Sequence, residues 1–517
     1  MLFNSLIFIF AFLPVSLGGY YLLCATPLKP LRFAFLSLMS MVFYAHASWL
    51  FAVLLALSTA ANLGLALLIQ RLRDAGRTRA MQAVLMLGVT GNLLFLGYFK
   101  YTDFFLRVLN GALGLKLPLQ HLPLPIGISF YTFLFMASLA DVARREIGKV
   151  RPDEFVSFSL FYPHLLAGPI VHYQELVPQM AVGPFWRRVP AHMVVGLAIF
   201  AIGLFKKTVL ADTLAIYANR IFPVADAGGH PGVVSSWLGA LGFTLQIYFD
   251  FSGYSDMAIG LSRLFGFRLP LNFHSPLKSA NIVDYWRRWH MTLQRFIVAY
   301  LYPALAIPLT RWSVDRRMGD WVSFAVSVAM PTILTFVVVG FWHGAGWTYL
   351  LFGLMHGLYI TVCEAWRKVR RNRRWRKVKV GRAETIAAHV LLLLAVIVAH
   401  VVFRAKTLGG AFAILGGMAG LGAGPEVAAP YAALGPWTNL VFVVLGYAFV
   451  LTLPNTQQIM GRYSPALDWD KWRKVAPPLV RLGFRPTPAW ALAIGLILFL
   501  GIAFVMRGQT EFIYFRF

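Results

Sequence analysis

Apolar runs of membrane-spanning length recur along the chain near positions 3–23, 32–48, 50–70, 80–99, 191–211, 233–249, 322–340, 346–365, 384–404, 437–453 and 488–506. A helix needs about 20 predominantly apolar residues to cross the hydrocarbon core of a bilayer, so each run predicts a membrane helix. Less uniform runs at 124–142, 156–178 and 293–309 carry prolines and polar residues. They predict tilted or re-entrant segments, because broken backbone at membrane depth is tolerated only where protein buries it or it lines a cavity. The expected architecture is an all-α polytopic membrane protein with roughly eleven to thirteen helices by that length criterion. No internal repeat is evident. Thr407–Leu434, rich in Gly and Ala with two prolines, reads as a loop with an interfacial helix at Ala411–Met418. The chain therefore reads as a single integral-membrane domain over 1–517, with its polar centre at 240–366 and C-terminal helices over 407–517.

Composition agrees with this pattern. Of the 517 residues, 59% are hydrophobic and 13% charged, against roughly 45–50% apolar usage in a soluble domain. The net charge of +27 would suggest nucleic acid in a soluble chain. Here the basic residues sit in short segments between apolar runs, which is the positive-inside distribution and excludes that reading. Arg71, Arg73, Arg77 and Arg79 form one group, the run Arg367–Lys377 a second, and Lys471, Arg473, Lys474, Arg481 and Arg485 a third. All three are expected on the cytoplasmic side. Counting back two spans places Lys29 and Arg32 inside and Met1 outside. The 367–377 run reads as topology signal and lipid head-group contact; the sharper alternative is a docking site for an acidic partner or a nucleotide-bearing donor. Cys24 and Cys363 lie in or beside apolar segments and read as inert thiols. The N-terminus lacks a basic leader and a small-residue cleavage site, so it reads as the first membrane helix.

The candidate chemistry begins at Gly340-Phe341-Trp342-His343-Gly344-Ala345-Gly346-Trp347. This segment puts a histidine between two apolar runs. A polar or ionisable side chain at membrane depth is costly, and marks a functional site by default. The flanking glycines let another backbone or a substrate approach. A neutral imidazole can take a proton from a hydroxyl attacking an acyl carbon, or carry the acyl group itself. The bland alternative is a buried histidine bonded to a backbone carbonyl. The densest polar region, 246–295, contains Asp250, Tyr254, Asp256, Asn272 and the segment Trp286-Arg287-Arg288-Trp289-His290. It reads as an amphipathic helix at the interface or entering the protein interior. His290 is the second candidate, to orient substrate, stabilise an oxyanion or shuttle a proton. No Gly-x-Ser-x-Gly elbow, phosphate loop or His-Glu-x-x-His zinc motif is present. His343 and His356 have no acidic residue between them, so no local metal site is expected. The remaining histidines, His400 among them, read as structural or interfacial. A transporter with Asp250 and Asp256 as ion sites stays open, although the symmetry of broken helices expected of one is not found.

At these residues the chain resembles the membrane-bound O-acyltransferase family, in its bacterial alginate O-acetyltransferase type. The matching stretches are Leu124–Phe133, Leu166-Ala167-Gly168-Pro169-Ile170, Gly203–Lys207, Asp250–Gly260, Trp286–His290, Phe341–Ala345, Phe403-Arg404-Ala405 and the final Phe512–Phe517. Together and in this order they are specific. The resemblance implies a ring of helices with re-entrant or interfacial helices around a central channel, and a histidine at its narrowest point. It implies catalytic roles for His343 and His290. Asp250, Tyr254, Asp256, Asn272 and Trp342 are expected to shape the substrate cavity, with helix packing as the alternative role for each. It also implies acetyl-CoA as cytosolic co-substrate, no bound cofactor, and an exported polysaccharide as acceptor. The setting would be the bacterial inner membrane, with a separate periplasmic or membrane-anchored esterase-like partner completing the transfer. D-alanyl transfer onto teichoic acid, and peptidoglycan as acceptor, are the close alternatives.

Overall fold

The computed structural model describes residues 1–184, 186–372, 381–421, 424–427, 438–506, 508 and 512–513. Residues 373–377 of the basic run, the expected loop at 428–434 and the final residues 514–517 lie outside the described residues. Every regular element among the described residues is helical, with one isolated bridge between Pro270 and Leu467. The helices used below are α1 (Phe8–Ala25), α2 (Arg32–Ala45), α3 (Trp49–Asp74), α4 (Thr78–Leu113), α5 (Ile128–Ala143), α6 (Trp186–Asp226) and α7 (Val233–Leu264). They continue with α8 (Ile282–Arg288), α9 (Met291–Asp315), α10 (Asp320–His343), α11 (Trp347–Asn372), α12 (Arg382–Arg404), α13 (Leu408–Met418), α14 (Thr438–Thr452) and α15 (Pro488–Val505).

Eight of the described helices are long and apolar enough to cross a membrane: α1, α3, α4, α6, α9, α10, α12 and α15. The chain is therefore a multi-pass membrane protein. The number is below the expected eleven to thirteen for two physical reasons. Helices α2 and α14, of 14 and 15 residues, fall short of a full span. The apolar runs near 233–249 and 346–365 lie in α7 and α11, where polar residues such as Gln246, Asp250, His356 and Glu364 interrupt the apolar stretch. The uneven run at 156–178 breaks into three short helices separated at Phe161 and Leu166–His172. Helix α13 occupies the expected 411–418 position.

Helix α7 enters the interior rather than lying at a surface. Its residues from Ser235 to Leu264 are buried almost without exception. It packs against α6 through two pairs of glycines that replace side chains with backbone. A Cβ on Gly203 would stand 2.7 Å from the Gly253 carbonyl, and one on Gly260 would stand 2.7 Å from the Gly196 carbonyl. Small residues at such crossings let membrane helices approach closely without help from water.

The hairpin of α10 and α11 is made the same way. A Cβ on Gly340 would stand 2.9 Å from Gly353 Cα, and one on Gly357 would stand 2.8 Å from Ile333 Cα. Lys368 on α11 pairs with Asp320 at the start of α10, so the open end of this hairpin carries the basic group Arg367–Arg371. Its closed end is the His343–Trp347 turn. Replacing Gly353 by leucine is expected to force α10 and α11 apart. The check is a thermal melt of detergent-purified protein, which should show a loss of folded material rather than of activity alone.

The two ends of the bundle are distinguishable. Helices α3 and α4 meet at the Arg71–Arg79 turn, where Arg73 donates to the carbonyls of Val142, Ile147 and Gly148 at 2.6–2.8 Å. Lys100 lies roughly 33 Å further along α4 at 1.5 Å per residue, and contacts the closed end of the α10–α11 hairpin. The Met1 ammonium donates to the Phe43 carbonyl near the end of α2, across α3 from the Arg71–Arg79 turn.

Candidate functional site

His343 is the last residue of α10, and Gly344 follows it in extended backbone. A helix leaves its last four carbonyls without intrahelical partners. Here α4 supplies partners to three of them. Lys100 Nζ donates to the carbonyls of Trp342 at 2.5 Å and His343 at 3.2 Å. Tyr101 Oη donates to the Phe341 carbonyl at 3.1 Å, and its ring stacks on Phe341 at 4.3 Å. A cation at a helix C-terminus is also favoured by the helix dipole. The histidine backbone is thus clamped from outside its own helix. Lys100→Met is expected to destabilise the protein by about 1–3 kcal/mol through the unsatisfied carbonyls. Thermal melts with parallel turnover measurements would check it; turnover should fall further than stability, because the turn that aims His343 loosens.

The His343 side chain is 4% exposed and sits edge-on to Phe352 and Phe403, with ring centroids 6.2 and 5.4 Å away. It lines a small cavity of about 10 Å³ together with Ile247, Tyr285, Trp286, Trp289, Phe352, His356, His400 and Phe403. That is room for about one water-sized group. On the Lys100 side, a larger cavity of about 220 Å³ is lined by Phe99, Lys100, Asp103, Leu124 and Ala345 among others. The His343–Gly346 turn therefore separates a narrow inner space from a wider one at the hairpin tip.

His290 is 1% exposed and sits just before α9 in the left-handed region, with φ +45°. A non-glycine residue held there costs of order 1–3 kcal/mol and persists only where its surroundings fix it. Asn272 does the fixing. Its backbone carbonyl accepts from Met291 N at 2.9 Å. Its side-chain oxygen accepts from Thr292 Oγ1 at 2.9 Å and from His290 Nδ1 at 3.1 Å, while its amide donates to Ser255 Oγ at 3.1 Å. This pattern puts the His290 proton on Nδ1 and leaves Nε2 as the basic nitrogen. Trp342 lies between the two histidines. Its ring stacks on Phe133 at 5.0 Å, and the His290 ring is 6.4 Å away.

Asp250, Tyr254 and Asp256 are placed elsewhere, and neither they nor Asn272 and Trp342 line the small cavity with His343. Asp250 pairs with Lys207 at 2.7 Å and accepts from Ile513 N at 2.8 Å. Asp256 pairs with Lys206 at 2.8 Å and accepts from Thr456 Oγ1 at 2.6 Å and Gln457 Nε2 at 2.9 Å. Tyr254 stacks on Phe3 at 4.9 Å and Phe512 at 4.5 Å. The two carboxylates join α7 to α6 and to the 456–457 turn. Among the described residues no group of three or more His, Cys, Asp or Glu is arranged to hold a metal ion.

Sequence reasoning missed Lys100, whose only signal is a lysine set among Tyr98, Phe99 and Tyr101 at the end of an apolar run. It also missed the company His356 and His400 keep with His343, because α8, α11 and α12 supply those walls from distant parts of the chain.

Residues 31–381 match the model of the membrane-bound O-acyltransferase family. The chain is 38% identical over 447 residues to a peptidoglycan O-acetyltransferase of Helicobacter pylori, covering 81% of this chain and 80% of that protein. It is 37% identical over 423 residues to a probable alginate O-acetylase of Azotobacter vinelandii, covering 79% and 76%. A teichoic acid D-alanyltransferase of Bacillus subtilis is 26% identical over 283 residues, covering 54% and 69%. With a buried histidine at the tip of a glycine-packed hairpin and these matches along most of its length, the chain belongs to the membrane-bound O-acyltransferase family and is an integral-membrane O-acyltransferase.

Proposed function

We propose that the protein takes an acetyl group from acetyl-CoA on the cytoplasmic side of the bacterial inner membrane and delivers it for O-acetylation of an exported polysaccharide. The observation that carries this reading is the position of His343. It is buried, held by α4 through its own backbone carbonyl, and set between a water-sized inner cavity and a wider space at the hairpin tip. The basic groups at Arg71–Arg79 and Arg367–Arg371 lie at the other end of the bundle. By the positive-inside rule that end is cytoplasmic, which puts the hairpin tip and Met1 toward the exported side. A site so placed suits a reaction whose donor and acceptor are in different compartments.

In this reading His343 acts as general base on the attacking hydroxyl, and His290 assists through its basic Nε2. Asn272 holds His290 in the needed tautomer. Relatives named as O-acetyl-transferring enzymes cover about four-fifths of the chain, which favours acetyl over D-alanyl. A transporter reading is not favoured, since a lysine already neutralises each of Asp250 and Asp256. A separate esterase-like partner is expected to complete transfer onto the sugar.

The test uses inside-out membrane vesicles containing the protein, its exported polymer and acetyl-CoA labelled in the acetyl group. Label should appear as base-labile ester inside the vesicles. Labelling from D-alanine on a carrier protein with none from acetyl-CoA would overturn the donor assignment.

A further inference from the structure

His356 lies on α11 and is 1% exposed. Trp286 Nε1 donates to its Nδ1 at 3.1 Å. An indole nitrogen can only donate, so this bond makes His356 Nδ1 the acceptor and places the proton of the neutral ring on Nε2. That Nε2–H has no hydrogen-bond partner among the described residues. A buried donor left unmade is expensive, and in a native structure such a group asks for an explanation. His356 and Trp286 both line the cavity that His343 also lines. The other walls are Ile247, Trp289, Phe352 and Phe403, with Tyr285 and His400 as the further polar side chains.

We propose that this cavity is the acyl pocket, and that His356 Nε2–H binds the carbonyl oxygen of the transferred acyl group, with Trp286 as the positioning residue that fixes its tautomer. The inference rests on the acyltransferase reading above and deepens it. The cavity matches the group in three respects. Its volume of about 10 Å³ admits a water-sized group such as a carbonyl oxygen or a methyl. Its aromatic walls suit the methyl. The His356 Nε2–H donor suits the oxygen.

The chemistry balances. The acceptor hydroxyl oxygen attacks the thioester carbonyl carbon and gives its proton to His343 as the new C–O bond forms. The carbonyl π pair moves onto oxygen, where His356 Nε2–H stabilises it. Collapse restores the carbonyl, breaks the C–S bond, and the departing thiolate takes the proton from His343. A preorganised neutral donor aimed at developing negative charge typically contributes about 10²–10³ in turnover. The small pocket also sets acyl length: a chain longer than acetyl meets Phe352 and Phe403.

The experiment compares wild type, His356→Leu, His356→Gln, Trp286→Phe and Phe352→Ala as full-length proteins in inside-out membrane vesicles that hold the exported polymer and the rest of its acetylation machinery, at matched protein levels, with acetyl-CoA and butyryl-CoA as donors. Each protein's thermal melt is recorded first. His356→Leu should lower kcat by about 10²–10³ with a small change in KM. His356→Gln, whose amide can donate from the same place, should recover most of it, and Trp286→Phe should fall between. Phe352→Ala should raise butyryl turnover relative to acetyl by about tenfold. Wild-type kcat in His356→Leu, or folded Leu and Gln variants equally impaired, would overturn the oxygen-binding role. An unchanged butyryl-to-acetyl ratio in Phe352→Ala would overturn the pocket assignment, whether or not the His356 variants fold. Wild type inactive with both donors would contradict the acyltransferase reading instead.

Discussion

Lys207→Met is expected to leave little folded protein in the membrane. The Lys207 side chain is 4% exposed and pairs with Asp250 at 2.7 Å and Asp212 at 2.8 Å, and Asp250 is 2% exposed. Removing the cation leaves two carboxylates close together, one of them deep between α6 and α7. Breaking a buried pair from one side typically costs about 3–5 kcal/mol, a large share of the roughly 5–15 kcal/mol that holds a domain folded. Lys207 belongs to a π-helical segment, Lys206–Ala211, and its neighbour Lys206 pairs with Asp256. The wider turn lets consecutive lysines reach carboxylates six residues apart on the same partner helix. The measure is monodisperse yield and melting temperature in detergent. The double variant Lys207→Met, Asp250→Leu should recover much of the lost stability, because no lone charge remains at Asp250. If it were no better than Lys207→Met alone, the carboxylate would have a role beyond this pair.

The second large effect is on chemistry. His343→Ala is expected to lower acyl transfer by about 10²–10⁴, the usual contribution of a positioned general base, with the melting temperature little changed. The hairpin itself is held by the close glycine packing of α10 on α11 and by Lys100 on the backbone carbonyls, so alanine removes the imidazole without undoing it. Gln at the same position keeps polarity and approximate shape but cannot take a proton at neutral pH. It should be as inactive as Ala. Turnover in the vesicle system, normalised to protein level, gives both numbers. Activity retained in His343→Gln would return this residue to a structural role.

The long spans were legible because length and apolarity are local properties. The count was less so, because polar residues such as Gln246, Asp250 and His356 interrupt the apolar stretches of α7 and α11, and α2 and α14 are short. His343 was legible for a related reason: one imidazole between two apolar runs stands out in a linear sequence. His290 and Asn272 could both be named from the sequence. That one fixes the tautomer and backbone of the other could not, since the bonds cross a turn containing a left-handed histidine. Asp250 and Asp256 looked like site residues because two carboxylates in an aromatic setting lack visible partners. Their partners, Lys206 and Lys207, stand on an antiparallel helix about fifty positions away in the chain. The Lys368–Asp320 and Lys100–His343 contacts put two of the basic groups, Arg367–Arg371 and Arg71–Arg79, at the same end of the bundle.

Acyl transfer by this protein is expected to depend on His343. The most direct measurement is base-labile acetyl ester on the exported polysaccharide of cells carrying wild-type protein or His343→Ala, at matched membrane levels. The ester should be lost with polymer export intact. Unchanged ester in His343→Ala would contradict it, and so would loss of the polymer itself.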